Sequence, residues 1–261
     1  MKLSSANINV MINACRKASK PLIRDFGEVE KLQVSLKGPG DFVTASDKKV
    51  EGILVEQLQK ARPSYSILSE EIGEIKNDEE FKWIIDPIDG TANFLHGIPH
   101  FAISVGLEHN GEIICGIVYD PIKDEMFVAE KGNGSYLNNQ RMRVSTRSKL
   151  KDCIIFSGGP KSESNDRDLA LKEYNNFSSK VLIPIRKLGS ASLDMAYVAA
   201  GRCDGFWQRN LNYWDIAAGI ILVKESGGFV TDFDGENRYI QNKTMLATNS
   251  KIGNEMIEIL K

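Results

Sequence analysis

Apolar and polar residues recur along this chain with two different periods, and the changes of period mark out its elements. Met11, Ala14, Cys15, Ala18 and Leu22 repeat at helical spacing, which predicts an amphipathic helix from about Ser5 to Phe26 with a bend at Pro21. Lys37-Gly38-Pro39-Gly40-Asp41 reads as a mobile loop, because its glycines and proline suit turns better than a regular element. Val50, Ile53, Leu54 and Leu58 then form a second helical face running to about Ala61, and Thr44 followed by Asp47 is an N-cap pattern for it. Beyond that helix the period falls to two. Tyr65 to Ser69 predicts a short strand, Glu74 to Glu80 a polar loop, and Trp83 to Ile85 an apolar strand. Phe101, Ile103, Val105 and Leu107 alternate as in a half-buried strand, and Asn110-Gly111 predicts a hairpin turn. Ile113 to Tyr119, Met126 to Glu130 and Ser135 to Leu137 extend an antiparallel meander.

The second half, 146–261, follows a first half spanning 1–145, and the two are expected to form one compact unit. Strands at Cys153 to Ser157 and Val181 to Ile185 flank a helix near Asp166 to Phe177. Gly189-Ser190-Ala191 opens a helix that Gly201 closes, and Asp204 to Gln208 is a strand. The helix Trp214 to Glu225 is apolar nearly all round and should be buried, with Asp215 in its first turn. Gly227-Gly228 ends it, strands follow at Phe229 to Thr231 and Met245 to Ala247, and a helix from about Ile252 to Leu260 closes the sequence. Such alternation predicts an α/β architecture of layered sheets and helices.

Composition narrows the function. The chain has 261 residues, 42% of them apolar and 26% charged, as in an ordinary globular protein. With 33 basic and 35 acidic residues its net charge is -2, which favours neither nucleic acid nor anionic membrane as the main partner. The basic stretch Arg141, Arg143, Arg147, Lys149 and Lys151 carries no interleaved aromatics for base stacking and reads as a solvated linker. Neither a signal peptide nor a bilayer-spanning run is evident, so a cytoplasmic location is expected. Cys15, Cys115, Cys153 and Cys203 form no metal-ligand spacing and read as reduced, mostly buried thiols. His96, His100 and His109 likewise lack such spacing and read as loop or surface residues.

Candidate chemistry concentrates in Trp83-Ile84-Ile85-Asp86-Pro87-Ile88-Asp89-Gly90-Thr91-Ala92-Asn93-Phe94. Pro87 fixes its own φ and lacks an N–H, so the strand should stop there and leave Asp86 and Asp89 at its mouth. Gly90 allows close backbone approach, and the Gly90 and Thr91 amides can begin a helical turn aimed at an anion. Two like charges about 4 Å apart cost roughly 4 kcal/mol at an effective dielectric of about 20, and a bound cation reverses that sign. The plain alternative is a turn in which both aspartates accept backbone hydrogen bonds. Asp47 and Asp215 carry the same ambiguity as helix caps, and Gly189 to Ala191 as either a ligand wall or a tight helix start.

The Trp83 to Phe94 stretch resembles the signature of the inositol monophosphatase family of magnesium-dependent phosphatases. The likeness extends to Phe42 to Glu51, Ile67 to Glu71, Trp214 to Gly219 and Glu225 to Gly228, in the same order and spacing. It implies an αβαβα sandwich, inhibition by lithium and a homodimer. From resemblance and donor chemistry together, we expect Glu70, Asp86 and the Ile88 carbonyl to hold one Mg²⁺, and Asp86, Asp89 and Asp215 to hold a second. The family adds a third, weaker ion near Glu70. Glu70 and Thr91, with Asp47 behind, would position the attacking water, while Asp89, Gly90, Thr91, Gly189, Ser190, Ala191, Gln208 and Asp215 would contact substrate. Glu71 is expected to be a neighbour without a direct role.

One departure stands out. Where the family commonly places a glutamate that grips substrate hydroxyls, this chain has Gln208, which loses a charge-assisted bond and gains a donor. The expected substrate is the phosphate monoester of a small polyol, inositol monophosphate foremost. Histidinol phosphate, fructose 1,6-bisphosphate and 3′-phosphoadenosine 5′-phosphate are the alternatives, and a regulatory partnership with the transcription apparatus is the alternative of another class. A haloacid-dehalogenase-type site separates its aspartates by one residue, whereas Pro87 and Ile88 intervene here.

Overall fold

Ser5 opens the first helix by accepting a hydrogen bond from the Ile8 amide at 3.2 Å, and the helix runs through Pro21 to Phe26. The computed structural model describes residues 5–28, 34–38, 41–159 and 167–261. In chain order the elements are α1 (Ala6–Phe26), β1 (Val34–Gly38), β2 (Asp41–Thr44), α2 (Ala45–Ala61), β3 (Tyr65–Ser69), β4 (Gly73–Ile75), β5 (Asp78–Asp89) and α3 (Thr91–Leu95). A meander follows: β6 (Ala102–His109), β7 (Glu112–Asp120), β8 (Glu125–Glu130), β9 (Gly134–Leu137) and β10 (Gln140–Arg141). The remainder comprises β11 (Ile155–Ser157), α4 (Arg167–Ser178), α5 (Ala191–Ala199), β12 (Gly205–Arg209), α6 (Tyr213–Glu225), β13 (Phe229–Thr231), α7 (Tyr239–Asn242), β14 (Thr244–Thr248) and α8 (Gly253–Leu260).

Among the described residues, eight strands form one sheet in the order β10-β9-β8-β7-β6-β5-β3-β4 and four form another in the order β11-β12-β14-β13. Three apolar cores separate the layers. Leu22 of α1 and Leu54 of α2 pack on one face of the large sheet with Trp83 and Val105. Met195 of α5 and Leu222 of α6 fill the space between the two sheets, with Phe127 and Phe206. Phe177 of α4 and Met256 of α8 cover the outer face of the small sheet over Trp207 and Leu246. The result is an αβαβα sandwich: the layered α/β architecture expected from the pattern, in the arrangement that the resemblance implied.

Several local expectations change. Lys37, Gly38 and Asp41 belong to the paired strands β1 and β2 rather than to a loop, with Pro39 and Gly40 outside the described residues. The expected polar loop Glu74 to Glu80 largely contributes to β4 and to the start of β5. The polar surface composition there suits a sheet margin as well as a loop. β5 does not stop before Pro87 but resumes pairing at Asp89 after an irregularity between Asp86 and Asp89. A bulge tolerates a residue that cannot donate. Val181 to Ile185 forms no strand; a single bridge from Phe156 to Arg186 remains, because Pro184 interrupts the ladder.

β6 is buried on both faces, not one. The residues alternating with its large apolar side chains are Ala102, Ser104 and Gly106, so the alternation is of size more than of polarity. That size pattern admits a helix. Gly106 pairs with Gly116 across β6 and β7, and a Cβ on Gly116 would lie 2.6 Å from Ile221 Cγ2 and 2.8 Å from the Ala218 carbonyl oxygen. α6 therefore sits in a glycine slot that sets the position of its first turn, where Asp215 stands.

The basic stretch is not wholly solvated: Arg147 Nε donates to both oxygens of fully buried Asp204, at 2.8 and 2.9 Å. All four cysteines are buried free thiols, and burial pushes Cys15 up to about 12. No helix among the described residues is long and apolar enough to cross a membrane.

Two glycine substitutions test this packing with opposite signs. Gly116→Ala forces α6 outward and should lower stability by about 1–3 kcal/mol. Gly52, exposed within α2 with nothing within 4 Å of its would-be Cβ, should gain about 0.5–1 kcal/mol as alanine. Urea unfolding midpoints measure both, and an unshifted midpoint for Gly116→Ala would remove the slot.

Candidate active site

The end of β5 curls because Asp86 turns back on its own chain: its Oδ1 accepts from the Ile88 amide at 3.1 Å while Pro87 between them donates nothing. The bulge leaves Asp86 buried at 1% exposure and delivers Asp89 to the amino terminus of α5. There Asp89 Oδ2 accepts from the Ser190 hydroxyl at 2.6 Å, the Ser192 hydroxyl at 2.5 Å and the Ser192 amide at 2.7 Å. Its Oδ1 accepts from the Ala191 amide at 3.3 Å. A carboxylate on helix amino-terminal amides is favourably placed. These contacts join residues about a hundred positions apart and place one acid between the two sheets.

Gly90 makes the next step sterically feasible. Its φ is 95°, and an added Cβ would stand 3.1 Å from the His100 carbonyl oxygen and 3.2 Å from that of Gly189. Thr91 follows as the first residue of α3, its hydroxyl 2.9 Å from the Ile88 carbonyl oxygen and 3.3 Å from Asp47 Oδ1. Asp47 is fully buried, and its Oδ2 accepts from the Thr44 amide at 2.8 Å and hydroxyl at 2.5 Å. It is thus both the helix cap and a partner of Thr91, as both readings of the sequence required. Asp215 closes a second capping box, accepting from the Asn212 amide at 2.7 Å.

A cavity of about 420 Å³ gathers these groups. Glu70, Asp86, Ile88, Asp89, Gly90, Thr91, Gly189, Ala191, Gln208 and Asp215 all line it. Asp47 and Ser190 stand behind the wall, on Thr91 and Asp89 respectively. Burial raises Asp86 well above the usual carboxylate range, and the charges of Glu70, Asp89, Asp215 and Asp47 add to it. Burial also raises Asp89, against the pull of its serine donors, and lifts Asp47 to about 6 against its Thr44 bonds. Ionised carboxylates are therefore disfavoured at this wall unless a cation compensates them.

An inositol monophosphatase family model matches residues 5–260 of the sequence. The chain belongs to the inositol monophosphatase family. An inositol-1-monophosphatase of Mesorhizobium japonicum is 48% identical over 98% of this chain and 97% of its own length. The Nus factor SuhB of Pseudomonas aeruginosa is 40% identical over 94% of this chain and 92% of its own. In three dimensions the chain is similar to the extragenic suppressor protein suhB of Bartonella henselae, with TM-score 0.95, 49% identity, and coverage of 98% and 99%. Membership of an inositol monophosphatase family makes the chain a hydrolase of the phosphatase class.

Family members are generally Mg²⁺-dependent, and the donor chemistry fits that ion. The acidic lining and the Ile88 carbonyl offer oxygen only, without histidine or cysteine, which suits magnesium better than zinc. Among the described residues no three such side chains already form a closed shell. Asp89 and Asp215 lie back on the donors that anchor them, and each carboxylate keeps further lone pairs for a ligand.

Two contributors were not among the expected site residues. Ser192 supplies two donors to Asp89, and Asn93 Nδ2 donates to the His100 and Leu188 carbonyls, both at 2.7 Å. Asn93 thereby ties the turn after β5 to the wall that begins at Gly189. Ser192 has no pattern to betray it, and Asn93, though inside the signature stretch, acts on carbonyls that only the fold brings near. His100, read as a loop residue, is buried with its Nε2 3.7 Å from Asp194 Oδ1.

Asn93→Asp keeps the shape and removes both donors, so it should destabilise the protein at least as much as Asn93→Ala. Each variant leaves two inward carbonyls unmatched, at about 1–3 kcal/mol for each buried group. An unchanged thermal midpoint in either would show that the bridge holds nothing.

Proposed function

We propose that this chain hydrolyses the phosphate monoester of a small polyol, inositol monophosphate foremost, with Mg²⁺. The observation that supports the reading is the convergence of Glu70, Asp86, Asp89 and Asp215 with Thr91 on one cavity. Phosphate-monoester hydrolysis is so slow unaided that accelerations reach about 10²¹, whereas a general acid or base supplies about 10² to 10⁴. Bound Mg²⁺ would supply the missing electrostatic stabilisation and lower the pKa of water. Two ions, with a third weaker one near Glu70, are the number we favour.

The side chains divide the remaining work. Glu70, Asp86 and the Ile88 carbonyl would hold one ion, and Asp86, Asp89 and Asp215 the other. The Thr91 hydroxyl reaches both the Ile88 carbonyl at 2.9 Å and Asp47 at 3.3 Å; with its one proton given to Asp47, its lone pairs would be left to accept from the attacking water, which Glu70 would hold from the other side. The Gly90 and Thr91 amides would meet phosphate oxygens. Gly189, Ala191 and Gln208 would face the polyol, with Ser190 acting through Asp89.

Gln208 decides among polyols. Its side chain occupies the space a Cβ on Gly158 would take, so it is packed against Gly158 in the cavity wall. A neutral amide there favours substrates that accept as well as donate. Histidinol phosphate, fructose 1,6-bisphosphate and 3′-phosphoadenosine 5′-phosphate complete the panel to assay. A regulatory role beside the transcription apparatus is the second reading, favoured by relatives such as the Nus factor SuhB of Pseudomonas aeruginosa. A purified protein inactive on every ester that nonetheless binds RNA polymerase would establish it in place of hydrolysis. A cytoplasmic homodimer is the setting we propose for either role.

Asp89→Asn should lower kcat by about 10²–10³-fold at saturating Mg²⁺, and near-normal turnover would remove the two-ion assignment. Gln208→Glu should shift the ranking among polyol phosphates toward inositol monophosphate. Identical selectivity profiles for the two proteins would mean that residue 208 does not touch substrate.

A further inference from the structure

The buried acids of α2 do not all face the cavity. Asp47 reaches Thr91, and one helical turn later Glu51, at 1% exposure, faces the turn that leaves β3. Its Oε1 accepts from the Ser69 hydroxyl, from the Glu71 amide at 3.0 Å and from the Ile72 amide at 3.3 Å. Those donors bracket Glu70 on both sides. The Glu70 amide is itself tied to the Ile85 carbonyl at 3.3 Å, immediately before Asp86. Neither Glu51 nor Ser69 lines the cavity. A carboxyl group at this depth is costly to bury, and an apolar residue would fill the α2 stripe without that cost.

We propose that Glu51 is a positioning residue for Glu70. Asp47 and Glu51 lie about 6 Å apart along the helix axis, at a rise of roughly 1.5 Å per residue. α2 then works as a ruler: one acid sets Thr91, the other sets the turn carrying Glu70, and their spacing fixes the pair that would hold the attacking water. This rests on the proposed function, in which Glu70 is an ion ligand.

The test compares Glu51→Gln, Ser69→Ala and Leu54→Ala in the full chain. Three quantities are measured: Mn²⁺ affinity by calorimetry without substrate, amide exchange over residues 67–75, and the melting midpoint. Partners that orient a ligand typically cost 10- to 100-fold when lost, so Glu51→Gln should weaken Mn²⁺ binding by about that factor and speed exchange at Glu71 and Ile72. Where turnover is measured, kcat falls and KM holds. Leu54→Ala opens a cavity on the same helix and should lower the midpoint while leaving Mn²⁺ affinity unchanged.

Wild-type affinity in folded Glu51→Gln would overturn the proposal, as would affinity losses in Glu51→Gln and Leu54→Ala that merely follow lost stability. If Glu51→Gln does not fold, Ser69→Ala decides: weaker binding supports the proposal and unchanged binding overturns it. A wild-type protein that binds no Mn²⁺ removes the ion site itself, whereas normal wild-type binding with an unaffected Glu51→Gln removes only the ruler.

Discussion

Mutual repulsion among buried carboxylates is the constraint around which this molecule is arranged. Asp86 feels Glu70, Asp89, Asp215 and Asp47 at once, in a place where water screens little. Left free, such side chains would turn apart or take up protons. Four of the five are restrained by donors from their own or a neighbouring element: the Ile88 amide for Asp86, the start of α5 for Asp89, the Asn212 amide for Asp215, and Thr44 for Asp47. Anionic groups fixed before a cation arrives need little rearrangement when it does, which is how preorganised sites gain their strength.

The layers follow from that need. The four acids of the cavity come from three elements: one from the turn after β3, two from the bulged end of β5 and one from the head of α6. Asp89 on the Ser190 to Ser192 segment and Asn93 on the Leu188 carbonyl bind the large sheet's active turn to the middle helical layer. The site lies at this seam, and its rigidity derives from contacts between layers more than from any one of them.

The fold was largely legible because burial writes a period into the sequence. The stripe on α1, the capping box at Thr44 and Asp47, and the Asn110-Gly111 turn, with φ of 51° and 79°, appear where residue pattern alone places them. Reading failed where one local rule met a competing one. Pro87 suggested an end to β5, but a bulge accommodates it; Val181 to Ile185 looked apolar enough for a strand, but Pro184 denies it a ladder. The acids of the site were legible through the resemblance, since their convergence depends on packing across distant segments. Asn93 and Glu51 fall inside segments that carry the resemblance, yet their roles, like that of Ser192, depend on partners from distant elements that residue pattern does not reveal.

The glycine slot under α6 bears on the order in which the molecule comes together. β6 and β7 are joined by a two-residue turn, so the groove made by Gly106 and Gly116 arises from contacts close in sequence. The helix that fills it lies about a hundred residues further on. A chain emerging from the ribosome therefore carries both strands of the receptacle before the segments that hold Asp89 and supply Asp215 have been made. Completion of the cavity is a late event of biosynthesis, and a chain that stops short of α6 is left with a solvent-exposed groove lined by the small residues that were meant to be covered.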